Sequence, residues 1–392
     1  MTDFQVRQWG IRRTRKSVVP LNQQAGKRRV TIAYPTENAS FAARKATTVY
    51  STIPTVYPTI PTVYPNLPTV SSNLAMTGSI MRKVFCVFLL SMLSPVALLA
   101  QDKPDPWIQK KLQQFKPLTE EQKAAIEQAV PSQSTAKPKK TRKVLVFYRC
   151  EGFVHNSIPY GNLAVEAMGR KTGAFSVDLA DTYDVFTTKN LEQYDCILLN
   201  STTGMQFQTV DQQNAFLDFI ANGKGLAGLH AASDNFGRHP ACRAIVGGEF
   251  GGHPWNAGGN WAFKLDDPEH VLNVAFGGKG FWHSDEIYQY NPQTYEGPQV
   301  LRVLLSLDMA QSEVSKQIKD GPREVPVSWL RKAGEGRVFY TNFGHREDTF
   351  RKPMILQHML DGIQYAIGDL EADATPTAKA GAKSPALAPA KP

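Results

Sequence analysis

The strongest constraint on the fold is an alternation of short apolar runs with helical patterns in the middle of the chain. Four runs have the length and composition of buried strands: Lys143–Arg149, Phe175–Leu179, Asp195–Asn200 and Gly225–His230. Between the last two, Asp211–Ala221 places its apolar residues at the 3.6-residue spacing of a helix. This β-α-β-α order predicts an α/β domain with a mostly parallel sheet and helices on both faces.

The second half of the domain has less helix between its apolar runs. We therefore expect some antiparallel strands beside the parallel ones. A last strand is predicted at Gly336–Thr341, and a closing helix at Pro353–Ile367 has proline in its first turn. The intervening runs are Trp261–Leu265, Ile287–Tyr290, Val300–Leu307 and Val325–Arg331.

The ends of the chain differ in character from this domain. Residues 1–80 contain a proline-rich repeat, which excludes helix and central strand and predicts a non-native or disordered upstream segment. Residues 101–141 are expected to be a linker with one short helix, which starts at a capping box formed by Thr119 and Gln122. Residues 142–369 form the domain, and the Ala/Pro/Lys-rich tail at 370–392 is expected to be disordered.

Residues 81–100 resemble a secretory signal peptide. Arg82 and Lys83 precede an apolar stretch, and Ala100 ends a small-residue cleavage site. With translation starting at Met81, the sequence predicts a secreted or periplasmic protein without stable membrane insertion after cleavage. An uncleaved segment would instead be a membrane anchor, although it lies at the lower limit of length for one.

The net charge of +9 belongs to the ends of the chain. Residues 142–369 carry 21 Lys/Arg against 26 Asp/Glu, so the domain itself is mildly acidic. A nucleic-acid-binding domain would carry the basic excess on its own surface. We therefore expect no nucleic-acid partner.

Three predicted strands each deliver a histidine to the same edge of the sheet. His155 follows the first strand, His230 ends the fourth and His345 follows the last. Ligands of open parallel sheets bind outside the carboxyl ends of the strands, so these loops are where a site is expected. Longer connections add His253 and the adjacent carboxylates Asp285 and Glu286, which cannot flank one bond as a glycosidase pair if their segment is extended.

Five motifs in order make this domain resemble the ThuA-like (trehalose-utilisation) family. They are Gly-Phe-x-His at 152–155, Gly-Leu-His-Ala-Ala-Ser-Asp at 228–234, Gly-His-Pro at 252–254, Asp-Glu-Ile-Tyr at 285–288 and Gly-Arg-Val-Phe-Tyr-x-x-x-Gly-His at 336–345. The resemblance implies a doubly wound, flavodoxin-like fold of the class I glutamine amidotransferase kind. It also implies a role in carbohydrate use, since secreted members are often named glycosyl hydrolases.

Amidotransferases of this fold carry a catalytic cysteine on the turn after the fourth strand, where this sequence has His230. Imidazole is a poor substitute for an attacking thiolate, so glutamine amidotransferase activity is not expected. Cys150 lies near the same edge, but a structural residue at a strand end is the preferred interpretation over a nucleophile.

Three uses of the histidines remain open. His155, His230 and His345 are candidate ligands of a divalent metal, with zinc best suited to imidazole, and Glu286 or a neighbouring carboxylate would complete the site. A metal-free alternative has His230 as general base, with Asp234 or Glu286 as the orienting acid. A third alternative has the histidines lining a sugar pocket or satisfied by the backbone.

The sequence therefore favours an enzyme acting on a small-molecule carbohydrate, such as a sugar or keto-sugar derivative, without a nucleotide cofactor. The alternative is a non-catalytic carbohydrate-binding or interaction domain of the same fold. Catalytic candidates are His230, Asp234 and Glu286, and candidate substrate contacts are His253, Trp282, Asp285 and Arg346.

Overall fold

The structure, a computed structural model, describes residues 105–312 and 324–391. The predicted upstream segment at 1–80 and the predicted leader at 81–100 lie outside these residues and stay predictions. Within the described part of the chain, no helix has the length and apolar character needed to cross a bilayer.

One mixed sheet of nine strands organises the described residues, and half of it is parallel. Its five parallel strands match the predicted runs closely. Four of them are apolar segments that are almost wholly buried, which leaves little choice of element, whereas the edge strand Ser176–Ala180 is partly exposed. In spatial order they are Ser176–Ala180 (β2), Lys143–Phe147 (β1), Cys196–Asn200 (β3), Gly225–Leu229 (β4) and Gly336–Thr341 (β9).

The other half of the sheet is antiparallel and larger than the few added strands expected. The predicted strand at 287–290 is wrong, because Ile287 and Tyr290 make only isolated bridges, with Trp255 and Phe250. Continuing from β9, the strands are Pro326–Ala333 (β8), Arg302–Leu307 (β7), Trp261–Leu265 (β5) and Phe281–His283 (β6).

Eight α-helices accompany the sheet in the described residues. The capping box of α2 is confirmed, because the Thr119 and Gln122 side chains each accept a hydrogen bond from the other residue's backbone N–H. The helices are Pro106–Gln114 (α1), Glu120–Ala129 (α2), Ile158–Thr172 (α3), Thr188–Leu191 (α4), Val210–Ala221 (α5), Pro240–Val246 (α6), Met309–Ser312 (α7) and Pro353–Ala366 (α8).

Two apolar cores lie on opposite faces of the parallel strands. In β1, Val144 and Val146 belong to the core that includes α3 and α8, whereas Leu145 and Phe147 belong to the core that includes α5. This division follows from the two-residue period of a strand, which sends neighbouring side chains to opposite faces. With both faces covered, ligands reach the parallel strands only at their ends.

The segment expected to be a linker with one helix contains a second helix, α1, that docks on the domain. Trp107 is 2% exposed and its indole N–H donates to Asp181. Asp105 caps the helix and pairs with the buried Arg149. Burying one large aromatic side chain contributes about 1.5–3 kcal/mol, enough to hold so short a helix in place.

The C-terminal tail is also ordered over residues 371–391, contrary to the expectation of disorder. Ala386 forms a bridge with Leu265 at the end of β5 through two backbone hydrogen bonds of 2.9 and 3.0 Å. Thr377 bonds to Leu301 and Val303. Composition predicts how little a segment can bury, but it does not detect backbone groups pairing with an available strand edge.

Candidate metal centre

Three loops at the carboxyl ends of parallel strands bring three histidine rings together. His155 lies in the loop after β1, His230 directly after β4 and His345 in the loop after β9. The ring centroids of His155 and His230 are 4.8 Å apart. The ring centroid of His345 lies 5.1 Å from that of His155 and 5.2 Å from that of His230. Since β1 and β9 are separated by β3 and β4, the loops must reach across two strands to meet.

Glu286 completes a group of four side chains whose potential ligand atoms all lie within 4.8 Å of one another. Nδ1 of His345 is 3.3 Å from Nε2 of His230 and 3.2 Å from Oε1 of Glu286, while Nε2 of His230 is 3.8 Å from that oxygen. Ligand atoms of tetrahedral zinc, with bonds of about 2.0–2.1 Å, lie roughly 3.3 Å apart. Three spacings of 3.2–3.8 Å approach that value, and closing the wider ones, up to 4.8 Å, would let the side chains hold a single small cation.

The backbone and the hydrogen bonds of His230 fix which of its nitrogens faces the cluster. Its φ of +46° is unusual for a residue with a Cβ, and it turns the chain sharply where β4 ends. Nδ1 lies 2.9 Å from the carbonyl oxygen of Asn342. A carbonyl only accepts, so Nδ1 carries the proton and Nε2 keeps its lone pair, which accepts from the Tyr288 hydroxyl at 3.0 Å.

The buried histidines are held neutral, as metal ligands must be. Burial, and then the nearby charge of His345, lower the pKa of His155 to about 3. Burial also places the pKa of His230 well below its ordinary value. Nδ1 of His155 is buried without a hydrogen-bond partner among the described residues. An unpaired polar atom in such a place is costly unless a ligand satisfies it.

His345 and Glu286 form the more accessible side of the cluster. Burial alone would lower the pKa of His345, but its hydrogen bond to Glu286 and the carboxylate charge outweigh burial and raise that pKa. The second oxygen of Glu286 is 3.3 Å from Nδ1 of His253, whose side chain is 52% exposed. Glu286 thus connects the buried rings to a histidine in contact with solvent.

A pocket of about 280 Å³ opens above two of the histidines. Arg346, predicted as a substrate contact, lies at its rim, where it pairs with Asp348 and donates to the carbonyl of Ala257. The pocket is lined by Phe153, His155, Asn156, Ala257, His345, Arg346, Glu347, Asp348 and Arg351.

Asp285 has a different role from the substrate contact expected of it. It is fully buried, and its carboxylate accepts hydrogen bonds from the backbone N–H groups of Gly344 and Arg346 and from the Thr349 hydroxyl, at 2.8–3.0 Å. Burial raises the pKa of Asp285 to about 6 although these bonds oppose the shift. Asp285 therefore fixes the loop that carries His345, while Glu286 points to the histidines.

Two other expected site residues do not reach the cluster through hydrogen bonds. Asp234 was expected to orient His230, but the Asn342 carbonyl does so, and burial and the charge of Glu249 raise the pKa of Asp234 to about 6. Trp282 donates its indole N–H to the carbonyl of Pro389 in the tail. The indole N–H of Trp282 is therefore bonded to the C-terminal tail, and Trp282 does not line the pocket.

The structure offers no thiol nucleophile among the described residues. Cys150 is fully buried and donates to the carbonyl of Ser201, and burial raises the pKa of its thiol to about 12. The turn after β4 carries His230, as the sequence indicates. Among the described residues no accessible thiol lies at this edge, and the histidine cluster is the candidate chemical centre.

Sequence reasoning missed three contributors to the site. Asn342 acts through its backbone carbonyl, which no side-chain pattern identifies. Tyr288 lies within the Asp-Glu-Ile-Tyr motif, so its position two residues after Glu286 was visible but its contact with His230 was not. Phe153 lies two residues before His155, and its exposure could not be read from sequence.

The fold and site together define a class: an α/β domain with a cluster of potential metal ligands at the carboxyl edge of its parallel strands and no cysteine nucleophile there. The chain belongs to the ThuA family, described as trehalose utilisation, whose family model matches residues 143–366. None of the curated protein sequences compared with the chain matches it.

Solved structures with a similar fold include two ThuA-like proteins. That of Bacteroides uniformis is 20% identical, covering 62% of this chain and 99% of its own, with a TM-score of 0.48. That of Parabacteroides merdae is 18% identical, covering 58% and 91%, with a TM-score of 0.45. A β-galactosidase from Bacillus circulans is 12% identical, covering 62% and 32%, with a TM-score of 0.38.

Proposed function

We propose that the chain is a secreted, metal-assisted enzyme that acts on a sugar or keto-sugar derivative, in keeping with the trehalose-utilisation family. One observation carries this proposal: His155, His230, His345 and Glu286 place four potential ligand atoms within 4.8 Å of one another. Zinc is the cation best suited to a set dominated by neutral imidazoles.

Each side chain has a distinct task in this proposal. His155 and His230 would hold the cation with lone pairs that burial keeps unprotonated, and the Asn342 carbonyl orients His230 as an outer partner does in metal sites. The cation would polarise a sugar carbonyl or lower the pKa of a bound water. Glu286 would accept the proton of such a water, and His253 connects Glu286 to solvent.

The surroundings favour this chemistry over two alternatives. A two-carboxylate glycosidase needs a facing pair of acids, but Asp285 is committed to the Gly344 loop while Glu286 contacts the histidines. Metal-free catalysis by His230 as base needs a basic imidazole, yet burial lowers its pKa far below the ordinary value. The proposal therefore includes glycoside hydrolysis only by a metal-assisted mechanism.

The location and the finer fold are also proposed. The predicted leader at 81–100 supports export, and intact mass of the protein from its native host, with a mature terminus at Gln101, would test it. The strand order β2-β1-β3-β4-β9 and the two cores support a doubly wound, flavodoxin-like arrangement of the parallel half.

Elemental analysis of the purified protein tests the proposed function. The wild-type chain, expressed from residue 101 and dialysed against zinc, should retain one equivalent, and His230→Ala should lose it. His239→Ala is the matched control, because His239 lies outside the cluster and bonds to Gln213. Wild-type protein without stoichiometric metal would reject the proposal, and sugar binding that persists without metal would support a non-catalytic binding domain.

A further inference from the structure

Phe153 is an exposed aromatic residue at the mouth of the histidine pocket. Its side chain is 62% exposed, although most phenylalanines of the domain are buried. Its ring is nearly parallel to that of His345, with 13° between the planes and 6.4 Å between the centroids, and it meets the ring of His155 edge-on at 4.8 Å. The two rings beneath it belong to the candidate metal cluster.

The loop that carries Phe153 is pinned on both sides. The backbone N–H groups of Glu151 and Gly152 donate to the carbonyl of Thr203 at 2.9 and 3.0 Å. Helix α1 adds a hydrogen bond from Lys110 to the carbonyl of Glu151 and another from Gln114 to the side chain of Asn156. Phe153 is therefore presented to solvent by a fixed backbone. Leaving such a side chain exposed forgoes part of the stabilisation that burial gives, which a ligand with an apolar face could recover.

The pocket beside Phe153 has balanced charge. Arg346 and Arg351 line it together with Glu347 and Asp348, and Arg346 is already paired with Asp348 at 2.8 Å. A pocket selective for an anion or a cation would present an excess of the opposite charge. Apart from the proposed cation, whose charge Glu286 partly offsets, the lining has mixed donors and acceptors without net charge, which match a ligand rich in hydroxyl groups.

The pocket is also small. Its volume of about 280 Å³ is at the lower end of small-molecule sites, which begin at roughly 300 Å³. The space suits one sugar ring above the histidines.

We infer that the pocket holds a single uncharged pyranose ring, which packs its C–H face on Phe153 and directs hydroxyl groups toward the histidine cluster and Arg346. This inference rests on the proposed function for the chemistry performed at the cluster, and it adds the class of substrate unit and the residue that selects it. Phe153 acts as a substrate-binding residue, and a longer glycoside would place only its terminal ring here.

Titration with a panel of methyl glycosides tests the inference. Methyl glucoside, galactoside and mannoside, together with anionic glucuronate, would be titrated into zinc-loaded protein and followed by ligand-observed NMR. At least one neutral glycoside should bind, and more tightly than glucuronate. Phe153→Ala should weaken that binding by about tenfold through loss of the packed aromatic face, and Phe153→Tyr should retain it.

The control is Leu112→Ala, which removes another exposed apolar side chain, 74% exposed and on α1, and should leave the affinity unchanged. Zinc content is measured in every variant. Equal sugar affinity of wild type and Phe153→Ala, preference for glucuronate, or no binding of any neutral glycoside overturns the inference. If zinc is bound in those cases, the proposed metal site survives. Wild-type protein that lacks zinc but binds sugar through Phe153 rejects the metal-assisted function and retains the pocket.

Discussion

Two buried polar regions of this domain, both attached to the parallel strands, differ in whether their polar groups have hydrogen-bond partners. One is the histidine cluster after β1, β4 and β9. The other, which we name the docking network, joins residues 135–142 to α8 and to the start of β3. Its side chains are those of Arg142, Asp195, Asp361, Gln364 and Asp369.

The docking network is closed, because its charges and amides face matching partners. Nε of Arg142 donates to both carboxylate oxygens of Asp369 at 3.0 and 3.1 Å, and Nη1 donates to Asp195 at 3.1 Å. The Gln364 amide exchanges two hydrogen bonds with the backbone of Ala136. Such an arrangement stabilises one geometry and leaves nothing for a ligand to satisfy.

The histidine cluster is open by comparison. Nδ1 of His155 has no partner among the described residues, and His230 has a positive φ. Unsatisfied lone pairs and backbone strain both cost stability, and they persist at places where function requires them. The comparison teaches that satisfaction of buried polar groups, rather than their number, separates a structural region from a candidate site.

Arg142→Ala should produce the largest loss of stability, because it leaves Asp369 buried without its cation and Asp195 with only the exposed Lys140. We expect a decrease of about 3–5 kcal/mol in the free energy of unfolding, measured by urea denaturation. Lys140→Ala is the control: Lys140 also pairs with Asp195 but is exposed, so its loss should cost less than about 1 kcal/mol. Equal effects of the two variants would contradict the closed nature of the network.

Asp361→Asn should give a smaller, pH-dependent effect. Burial raises the pKa of Asp361 to about 6, whereas in the unfolded chain the pKa of aspartate is about 4. Between these values the folded state binds more protons, so this residue makes stability fall as pH rises from about 4 to 6. The variant should lack this decline and be more stable than wild type at pH 7 by about 1–2 kcal/mol.

Urea denaturation of both proteins across pH 4–7 checks that prediction. The asparagine oxygen can still accept from Thr135 and Gln357, as the carboxylate does. A variant that is less stable than wild type at pH 7 would show that Asp361 is needed as an anion.

Tyr288→Phe should produce the smallest effect of these variants, and it changes the histidine cluster. The Tyr288 hydroxyl donates to the Nε2 lone pair of His230 that a cation would use. Removing a competing hydrogen bond of about 1 kcal/mol should raise zinc affinity roughly fivefold in a chelator-competition titration. Tyr290→Phe is the control, because its hydroxyl bonds to Tyr340 outside the cluster. Weaker zinc binding by Tyr288→Phe would mean that the hydroxyl supports the bound metal.

The location of the histidine cluster could be predicted from the sequence, but the contacts within it could not. His155, His230 and His345 follow predicted parallel strands, and the carboxyl ends of such strands share one edge of the sheet. The roles of Asp285 and Glu286 could not be divided, because they depend on how the loop after β6 packs against the loop after β9. Backbone partners such as the Asn342 carbonyl have no sequence signal.

The fold was predictable where the apolar pattern is strong. It was not predictable where backbone hydrogen bonds alone determine the position of a segment. Four of the five parallel strands follow from their buried apolar runs, and the fifth, the edge strand β2, is partly exposed. Strand β6 is three residues long, too short for a pattern, and the tail pairs with β5 through Ala386 without any apolar period. Helix α1 is held by the burial of Trp107 against the domain, which no sequence pattern indicates.

Helix α1 makes the site sensitive to where the polypeptide begins. Asp105 caps that helix and pairs with Arg149, and Lys110 and Gln114 hold the loop between Glu151 and Asn156. A recombinant or processed form trimmed a few residues too far would keep its sheet and its secondary-structure spectrum, yet present Phe153 and His155 on a loosened loop. Preparations that differ only in their first residue can therefore differ in ligand affinity while passing every ordinary test of folding.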